Sequence, residues 1–474
     1  MVDQNKELKF IYMKKIVIIG AGVAGINAAT KLVDNGYDGS LITIIDKGND
    51  PINRLPEEVM TGMLGAGGWS DGKLVVSTVQ GGQLAKYCGE EKAMSLMEEV
   101  VANFTRFHPK PEDISCSDPK TEPDFIKPYF DLRMSLVWHI GSNYLHEIAK
   151  NWYQYLLDKG VKFEWNTEIT FIDFKNPHGY VLVQGKQGKG GEYTIYQTTG
   201  DELIFAVGKS GIDFAQSLSD QYELPTEAKS VQIGVRFEAP QKYFQKLIDV
   251  SYDFKLYQKH DNVSIRSFCT NNNAAYVAVE ETYGDVSYNG HAKKGEEFRN
   301  DMTNFGILME IKGIEDPFKW SRDVVDKCNV DSALFNTHAG LYYSPNLTRR
   351  PSHTSEGNVV SCFPIDSLGP LAVAYGEYLA YIINFIDNMN NVFEFGNDWG
   401  MYVPEVKYLS PEPLVNYTDL SLNEYPNVHF AGDALSARGI TVSGAHGIYI
   451  AESFIREKAL EYLAKQSQEL NLGY

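Results

Sequence analysis

Four apolar residues in a row, Ile16–Ile19, break at Gly20, and small or apolar residues then recur at helical spacing at Ala24, Ala28, Ala29 and Leu32. Gly36 stops that pattern, and a second apolar run over residues 41–45 ends at Asp46. Short apolar runs bounded by glycine predict strands covered on both faces, so residues 14–46 predict a strand–helix–strand unit. Residues 83–107 carry apolar positions at helical spacing and predict a helix outside the central sheet, whereas 108–128, rich in Pro, Asp and Ser, predict an irregular connection. A helix near 141–158 and a strand at "VKFEWN" (161–166) follow. "TEITFIDF", "GYVLVQGK" and "EYTIYQTTGDELIFAVG" alternate apolar and polar positions and predict a three-stranded meander that returns to the first unit at Gly208. From about 221 to 352 the pattern mixes strand and helix with many Tyr, Asn and His. Near the end a short apolar strand, residues 428–431, runs into Gly432 and Asp433, and a helix with Ile440, Gly444, Gly447, Ile448 and Ala451 on its inner side follows.

The break after the first strand has a specific form. Gly20, Gly22 and Gly25 make G-x-G-x-x-G, with Val23 and Ala24 opening the helix. Gly20 allows the tight turn, Gly22 lets a pyrophosphate lie against the backbone at the helix N-terminus, and Gly25 lets helix and strand pack closely. Asp46, with Lys47 beside it, stands where a carboxylate accepts both ribose hydroxyls and disfavours a 2′-phosphate. The unit therefore predicts dinucleotide binding. The plain alternative is a glycine-rich turn that binds nothing.

A dinucleotide longer than one such unit can hold needs a second contact, and "NVHFAGDALSARGITVSGAHGIYIAESF" (427–454) is placed to give it. This segment resembles the flavoproteins of the glutathione-reductase and p-hydroxybenzoate-hydroxylase type. The resemblance implies that Gly432 and Asp433 hold the ribityl chain of FAD and that the amides of Gly439, Ile440 and Thr441 face the flavin. A helix N-terminus there favours the negative charge of the reduced ring.

Within that group the chain is similar to the poorly characterised FAD-dependent dehydrogenases. The shared pieces are "GAGGWSDGKL" (65–74), "HIGSNYL" (139–145), "TEITFID" (167–173), "LIFAVGKSGIDF" (203–214), "VQIGVRFEAPQ" (231–241), "SFC" (267–269), "YNGHAKKGE" (288–296) and "FAGDALSARGI" (430–440). The resemblance implies that Gly68, Ser70, Asp71, Gly72 and Lys73 pass beside the cofactor, that the backbone at Ile169 meets the adenine, and that Gly208 closes the site. Leu64 and Trp69 depart from the family pattern on the substrate side of that loop. A flexible loop with a capping serine is the structural alternative for this segment.

The expected fold is thus α/β: a Rossmann-like FAD-binding domain with a parallel sheet and a β-meander, plus a mixed α+β substrate domain. Residues 1–12 read as an extension without function, and 13–80, 131–220 and 353–474 as parts of a discontinuous FAD domain. Residues 81–130 read as an insertion and 221–352 as the substrate domain.

Composition narrows the partners. The 474 residues are 43% hydrophobic and 22% charged, ordinary for a globular protein with two or three cores. Lys and Arg number 43 against 62 Asp and Glu, and the net charge of −19 excludes nucleic acid or an anionic membrane held by bulk attraction. No apolar run approaches the roughly 20 residues of a membrane span, and no secretory leader is evident, so a cytoplasmic protein is expected. Cys88, Cys116, Cys269, Cys328 and Cys362 are scattered and include no C-x-x-C, which removes the usual zinc hairpin and paired-thiol signals; no metal is expected. No second G-x-G-x-x-G marks a separate NAD domain.

A flavin carries the redox step itself, so the protein needs only to bind, orient and tune it. Candidate acid, base or substrate groups are His139, Arg236, His291, Lys293, His338, Arg438 and His446, each of which has a structural alternative. Arg236, Arg438 and His446 are taken as catalytic, with Arg236 and Arg438 favoured because a cation near a flavin or a carboxylate substrate has electrostatic work to do. The expected activity is an FAD-dependent dehydrogenase-like oxidoreductase that moves a hydride between a small organic substrate and the flavin, with NAD(P)H, oxygen or another electron partner. A monooxygenase, an amine oxidase, a flavin-dependent lyase or modifying enzyme, and a non-catalytic flavin module are the alternatives.

Overall fold

Ile16–Ile19 forms the middle of a five-stranded parallel sheet, hydrogen-bonded to Glu202–Phe205 on one side and Ile42–Ile45 on the other. Lys162–Glu164 extends the sheet beyond Ile42–Ile45, and Val428–Phe430 extends it beyond Glu202–Phe205. All four residues of the first strand are buried, as a parallel strand covered on both faces requires. This computed structural model describes residues 13–471 apart from 56–57, 176–177, 228–230, 283–284, 333–336, 355–356 and 408–411. The extension 1–12 lies outside the described residues.

The helix Val23–Asp34 crosses one face of the sheet and packs on the long helix Ile440–Asn471. Small residues make the approach possible: a Cβ on Gly447 would fall 2.0 Å from the Ala24 carbonyl oxygen. The meander forms as expected, with Thr167–Asp173, Val181–Lys189 and Glu192–Gly200 pairing antiparallel. The predicted helix over 83–107 is two helices, Leu84–Cys88 and Glu90–Phe107, because Gly89 between them takes φ +81.

The second domain is larger than its expected boundaries. Its eight-stranded sheet takes Asp131–Arg133 at one edge, and Gly400–Lys407 pairs with Val231–Pro240 near the other. The helices Gly369–Tyr375 and Leu379–Phe393 cover the sheet, and Leu371, Ile382, Phe385 and Met389 share a core with Phe237, Phe305 and Ile307. Residues 363–407 therefore belong to this domain rather than to the first. Alternation along the strands gives it two unlike faces. Ile233, Val235, Phe237 and Val406 point into the core, while Gln232, Arg236, Glu405 and Lys407 point the other way.

Candidate functional site

The carboxyl ends of four parallel strands open onto one cleft of about 360 Å³, where Gly20, Asp46, Ala206 and Gly432 all line the wall. An open α/β sheet binds ligands at this edge, where the order of strands reverses. The glycines divide the labour as their spacing predicts. A Cβ on Gly20, at φ +108, would strike the Ala206 carbonyl oxygen at 2.1 Å, and one on Gly25 would strike the Gly20 carbonyl oxygen at 2.2 Å. Gly22 is different: its φ of −68 suits any residue, and a Cβ there meets nothing nearer than 4.0 Å. Gly22 is needed only if something else occupies that space.

Gly22, Val23, Ala24, Lys47, Ile169 and Gly208 line the cleft as expected, whereas Gly25 stands behind it as a packing residue. Asp46 also faces the cleft, and its carboxylate is already engaged. Oδ2 accepts from the Ala21 amide at 2.9 Å, and Oδ1 accepts from the amides of Gly48 and Gly62, both at 2.8 Å. A carboxylate has about four acceptor positions, so these three amides leave Asp46 room for one more donor.

Gly432, Asp433, Gly439 and Ile440 line the other end of the cleft, and Arg438 stands with them. Arg438 Nε lies 2.6 Å from Asp433 Oδ1, so the expected ribityl ligand and the expected catalytic cation are bound to each other. The Gly439 amide donates to the Gly81 carbonyl at 2.8 Å, which takes it out of the expected trio. Ile440 and Thr441 begin the long helix, and first-turn amides have no acceptor within their own helix. Thr441 is not on the cleft wall: it is buried, with its hydroxyl donating to the Val75 carbonyl.

The segment 65–73 splits in two. Gly65 and Gly67, glycines of the segment read as admitting the cofactor, line the cleft beside Leu64 and Ala66, which were not named as contacts. This stretch rides on the first glycine loop: the Leu64 amide donates to the Ala21 carbonyl at 2.8 Å, and a Cβ on Gly67 would meet Val23 at 2.4 Å. Gly68, Ser70, Asp71, Gly72 and Lys73 are not on the cleft wall. Gly68 lies against Arg54 and Met63, the Ser70 hydroxyl donates to the Gly67 carbonyl, and Gly72, at φ +69, closes on Gly141. Asp71 and Lys73 reach the second domain, where Lys73 pairs with Asp253 at 3.2 Å and Cys269 Sγ lies 3.0 Å from Asp71.

Arg54, which no motif marked, fixes this wall. Its guanidinium donates to the carbonyls of Glu58, Val59, Met63 and Gly65, and burial pulls its pKa down to about 10 against the nearby carboxylates of Asp46 and Glu58. Lys209 and Ser210, from the piece "LIFAVGKSGIDF", also line the cleft. Lys209 pairs with Glu280 at 3.1 Å, and Lys47 donates to the Ser210 carbonyl at 2.9 Å.

The remaining candidates lie elsewhere. Arg236 is fully buried on the polar face of the second sheet, 3.2 Å from Glu405, and donates to the Cys269 carbonyl and to Asn289. Burial pushes the Glu405 carboxyl up to about 7, with Arg236 opposing. His446 is fully buried, edge-on to Tyr87 at 5.9 Å, and is not among the residues lining the cleft. His139 is buried and pulled down to about 3 by that burial and by Lys294. His291 is buried in the hairpin strand Asp285–Ala292, and Lys293 stands over the Phe298 ring at 4.8 Å. His338 lies on the strand Thr337–Ala339, and its side chain is outside the described residues.

No family model matches the chain, and no curated protein matches it. Solved structures resemble it at a distance. CmlS, a flavin-dependent halogenase, is 13% identical with a TM-score of 0.44, over 95% of this chain and 59% of its own length. The 2,6-dihydroxypyridine-3-hydroxylase of Arthrobacter nicotinovorans is 11% identical with a TM-score of 0.44, over 96% and 89%. A flavoprotein/dehydrogenase from Cytophaga hutchinsonii is 11% identical with a TM-score of 0.43, over 94% and 79%. The chain thus spans under two thirds of the length of CmlS. Likenesses this distant leave the reading to the geometry of the cleft. Among the described residues no helix is long and apolar enough to cross a membrane.

Proposed function

We propose that this cleft binds FAD and that the chain is an FAD-dependent oxidoreductase acting on a small organic molecule. The observation that carries the reading is the continuity of one cleft from the Gly20–Ala24 turn, Asp46 and Ile169 to Asp433 and Ile440. A single strand–helix–strand unit accounts for the Gly20–Ala24 turn and Asp46 only. The second group calls for a ligand that extends past the pyrophosphate to the start of the long helix.

The residues present fit that ligand. Gly22 leaves open space at the helix N-terminus where a pyrophosphate binds, and Gly208, at φ +64, likewise has nothing within 4 Å of where a Cβ would stand. Asp46 offers one acceptor position to a ribose hydroxyl. Asp433 and Arg438 present a paired acceptor and donor to the middle of the ligand. The first turn of the helix Ile440–Asn471 brings partial positive charge to the far end, where it favours a negatively charged ring edge. When bound, the flavin supplies two-electron hydride chemistry, and the protein's part is to bind and orient it. A dehydrogenase-like transfer to or from a small organic substrate is the reaction we assign, with NAD(P)H, oxygen or another partner closing the cycle.

The test is an absorbance spectrum of the purified chain with FAD added, followed by anaerobic addition of NADH and then NADPH. A bound flavin that bleaches with a nicotinamide or an organic donor supports the reading. Oxygen consumption that requires both a nicotinamide and an organic substrate assigns a monooxygenase instead. A chain that stays colourless after FAD is added overturns FAD binding.

A further inference from the structure

Three side chains from two strands converge over the polar sheet face of the second domain. Lys407 ends the strand Gly400–Lys407, and Arg266 and Phe268 lie on Val263–Asn273, with the strands Val231–Pro240 and Met302–Ile311 between them. Lys407 Nζ stands 3.1 Å from the centroid of the Phe268 ring, and Arg266 Cζ stands 5.9 Å from the same centroid. All three are half-buried.

Neither cation is paired with a carboxylate among the described residues. Arg266 makes only neutral polar contacts, to the Tyr257 hydroxyl at 3.4 Å and Gln232 Oε1 at 3.3 Å. Among the described residues neither Arg266 nor Lys407 forms an ion pair, and the nearby carboxylate of Glu405 is held by Arg236. Burial and the like charges of Arg266 and Arg438 hold the Lys407 ammonium well below the usual lysine range. Arg438 lines the cleft, so this cationic patch borders it. Like charges gathered at half-buried positions are costly unless an anion joins them.

We propose that Lys407 and Arg266 bind the carboxylate of an organic acid substrate, with the Phe268 ring against its apolar or unsaturated body. The guanidinium offers two parallel donors that match a planar carboxylate, and the ammonium adds a point charge beside them. The aromatic surface between the two cations favours an organic acid over a bare inorganic anion, which has no apolar part to place there. This assignment rests on the FAD reading for its chemistry, but its binding step stands apart from the flavin.

The experiment is calorimetric titration of the full chain, once saturated with FAD and once without it, using benzoate, cyclohexanecarboxylate and hexanoate as probes. Benzamide serves as the neutral counterpart of benzoate, and inorganic phosphate as the alternative anion. Saturable binding of at least one carboxylate is expected, with benzamide roughly tenfold or more weaker, the size of one charge-assisted hydrogen bond. Lys407→Met and Arg266→Gln should each weaken carboxylate binding by a similar factor, while Lys407→Arg retains it. If Lys407→Met loses its native circular dichroism, Arg266→Gln carries the comparison. Equal binding of benzamide, unchanged binding by the folded variants, no binding of any carboxylate, or phosphate binding tighter than every carboxylate would each overturn the assignment. If FAD fails to bind, the titration without it still decides the question. If FAD binds, a carboxylate-induced change in its absorbance reports that the patch adjoins the ring.

Discussion

Lys73 Nζ lies 2.8 Å from Asp71 Oδ2, with both side chains closed off from solvent. The pair sits on the dinucleotide domain, yet its other partners, Asp253, the Thr270 carbonyl and Cys269, belong to the second domain. It is a buried charge clamp between domains. Burial works against the ammonium, but Asp253 and Asp71 outweigh it and raise the Lys73 pKa.

Removing Lys73 leaves two buried carboxylates short of countercharge, with Lys255 still beside Asp253 at 3.4 Å. Lys73→Met should destabilise the fold by about 3–5 kcal/mol, read as a lower urea midpoint. Burial alone would raise the Asp253 carboxyl, but Lys73 and Lys255 bring it to about 2. Its contribution is present above the unfolded value of about 4 and is lost as pH falls toward 2. Asp253→Asn should therefore flatten the acid limb of the stability profile.

Two glycines of one motif should fail differently. Gly22→Ala adds a methyl group where no protein atom is nearer than 4.0 Å, so its melting temperature should stay within a few degrees of the parent while FAD affinity drops about tenfold or more. Gly25→Ala places Cβ 2.2 Å from a backbone oxygen, so melting temperature and FAD affinity should fall together. Equal FAD affinity in Gly22→Ala and the parent would remove the pyrophosphate from that position.

Asp46 holds three backbone amides as well as a place in the cleft. Asp46→Ala should cost about 2–4 kcal/mol of stability, because three buried donors lose a charged acceptor at once. Fluorescence titration with FAD should show weaker binding in this variant even at temperatures where it remains folded.

His446 has no hydrogen-bond partner at either ring nitrogen among the described residues, and burial pulls its pKa down to about 4. Unfolded, a histidine takes up its proton near 6.5, so between about 6.5 and 4 the unfolded chain binds more protons. Stability therefore falls as pH falls through that window. His446→Leu should remove a slope on the order of 2 kcal/mol, seen by comparing urea midpoints at about pH 7.5 and pH 5.

The local half of this architecture was legible in the sequence. Gly20, Gly22 and Gly25 revealed their turn because each role is set by residues within one strand–helix junction, and the meander revealed itself by alternation. Long-range choices were not legible. Gly400–Lys407 joins the second sheet because Val231–Pro240 offers it an edge, and nothing within "GMYVPEVK" names that partner. Asp71 and Lys73 were expected at the cofactor because they follow a glycine-rich stretch, but the chain turns at Gly72 and delivers them to the other domain. Arg54 gave no signal, since the hydrogen bonds of its guanidinium go to backbone carbonyls.

The strand order of the first domain has a further consequence for how the protein is made. Glu202–Phe205 waits for Val428–Phe430, and seven of the eight strands of the second sheet are translated between them. A ribosome therefore releases the glycine turn early, while the wall bearing Asp433, Arg438 and Ile440 emerges only after the intervening domain. A nascent chain stalled inside that domain presents Glu202–Phe205 as an unpaired sheet edge, the kind of surface that other chains add to. Late arrival of the closing strand makes the cleft a readout of complete synthesis.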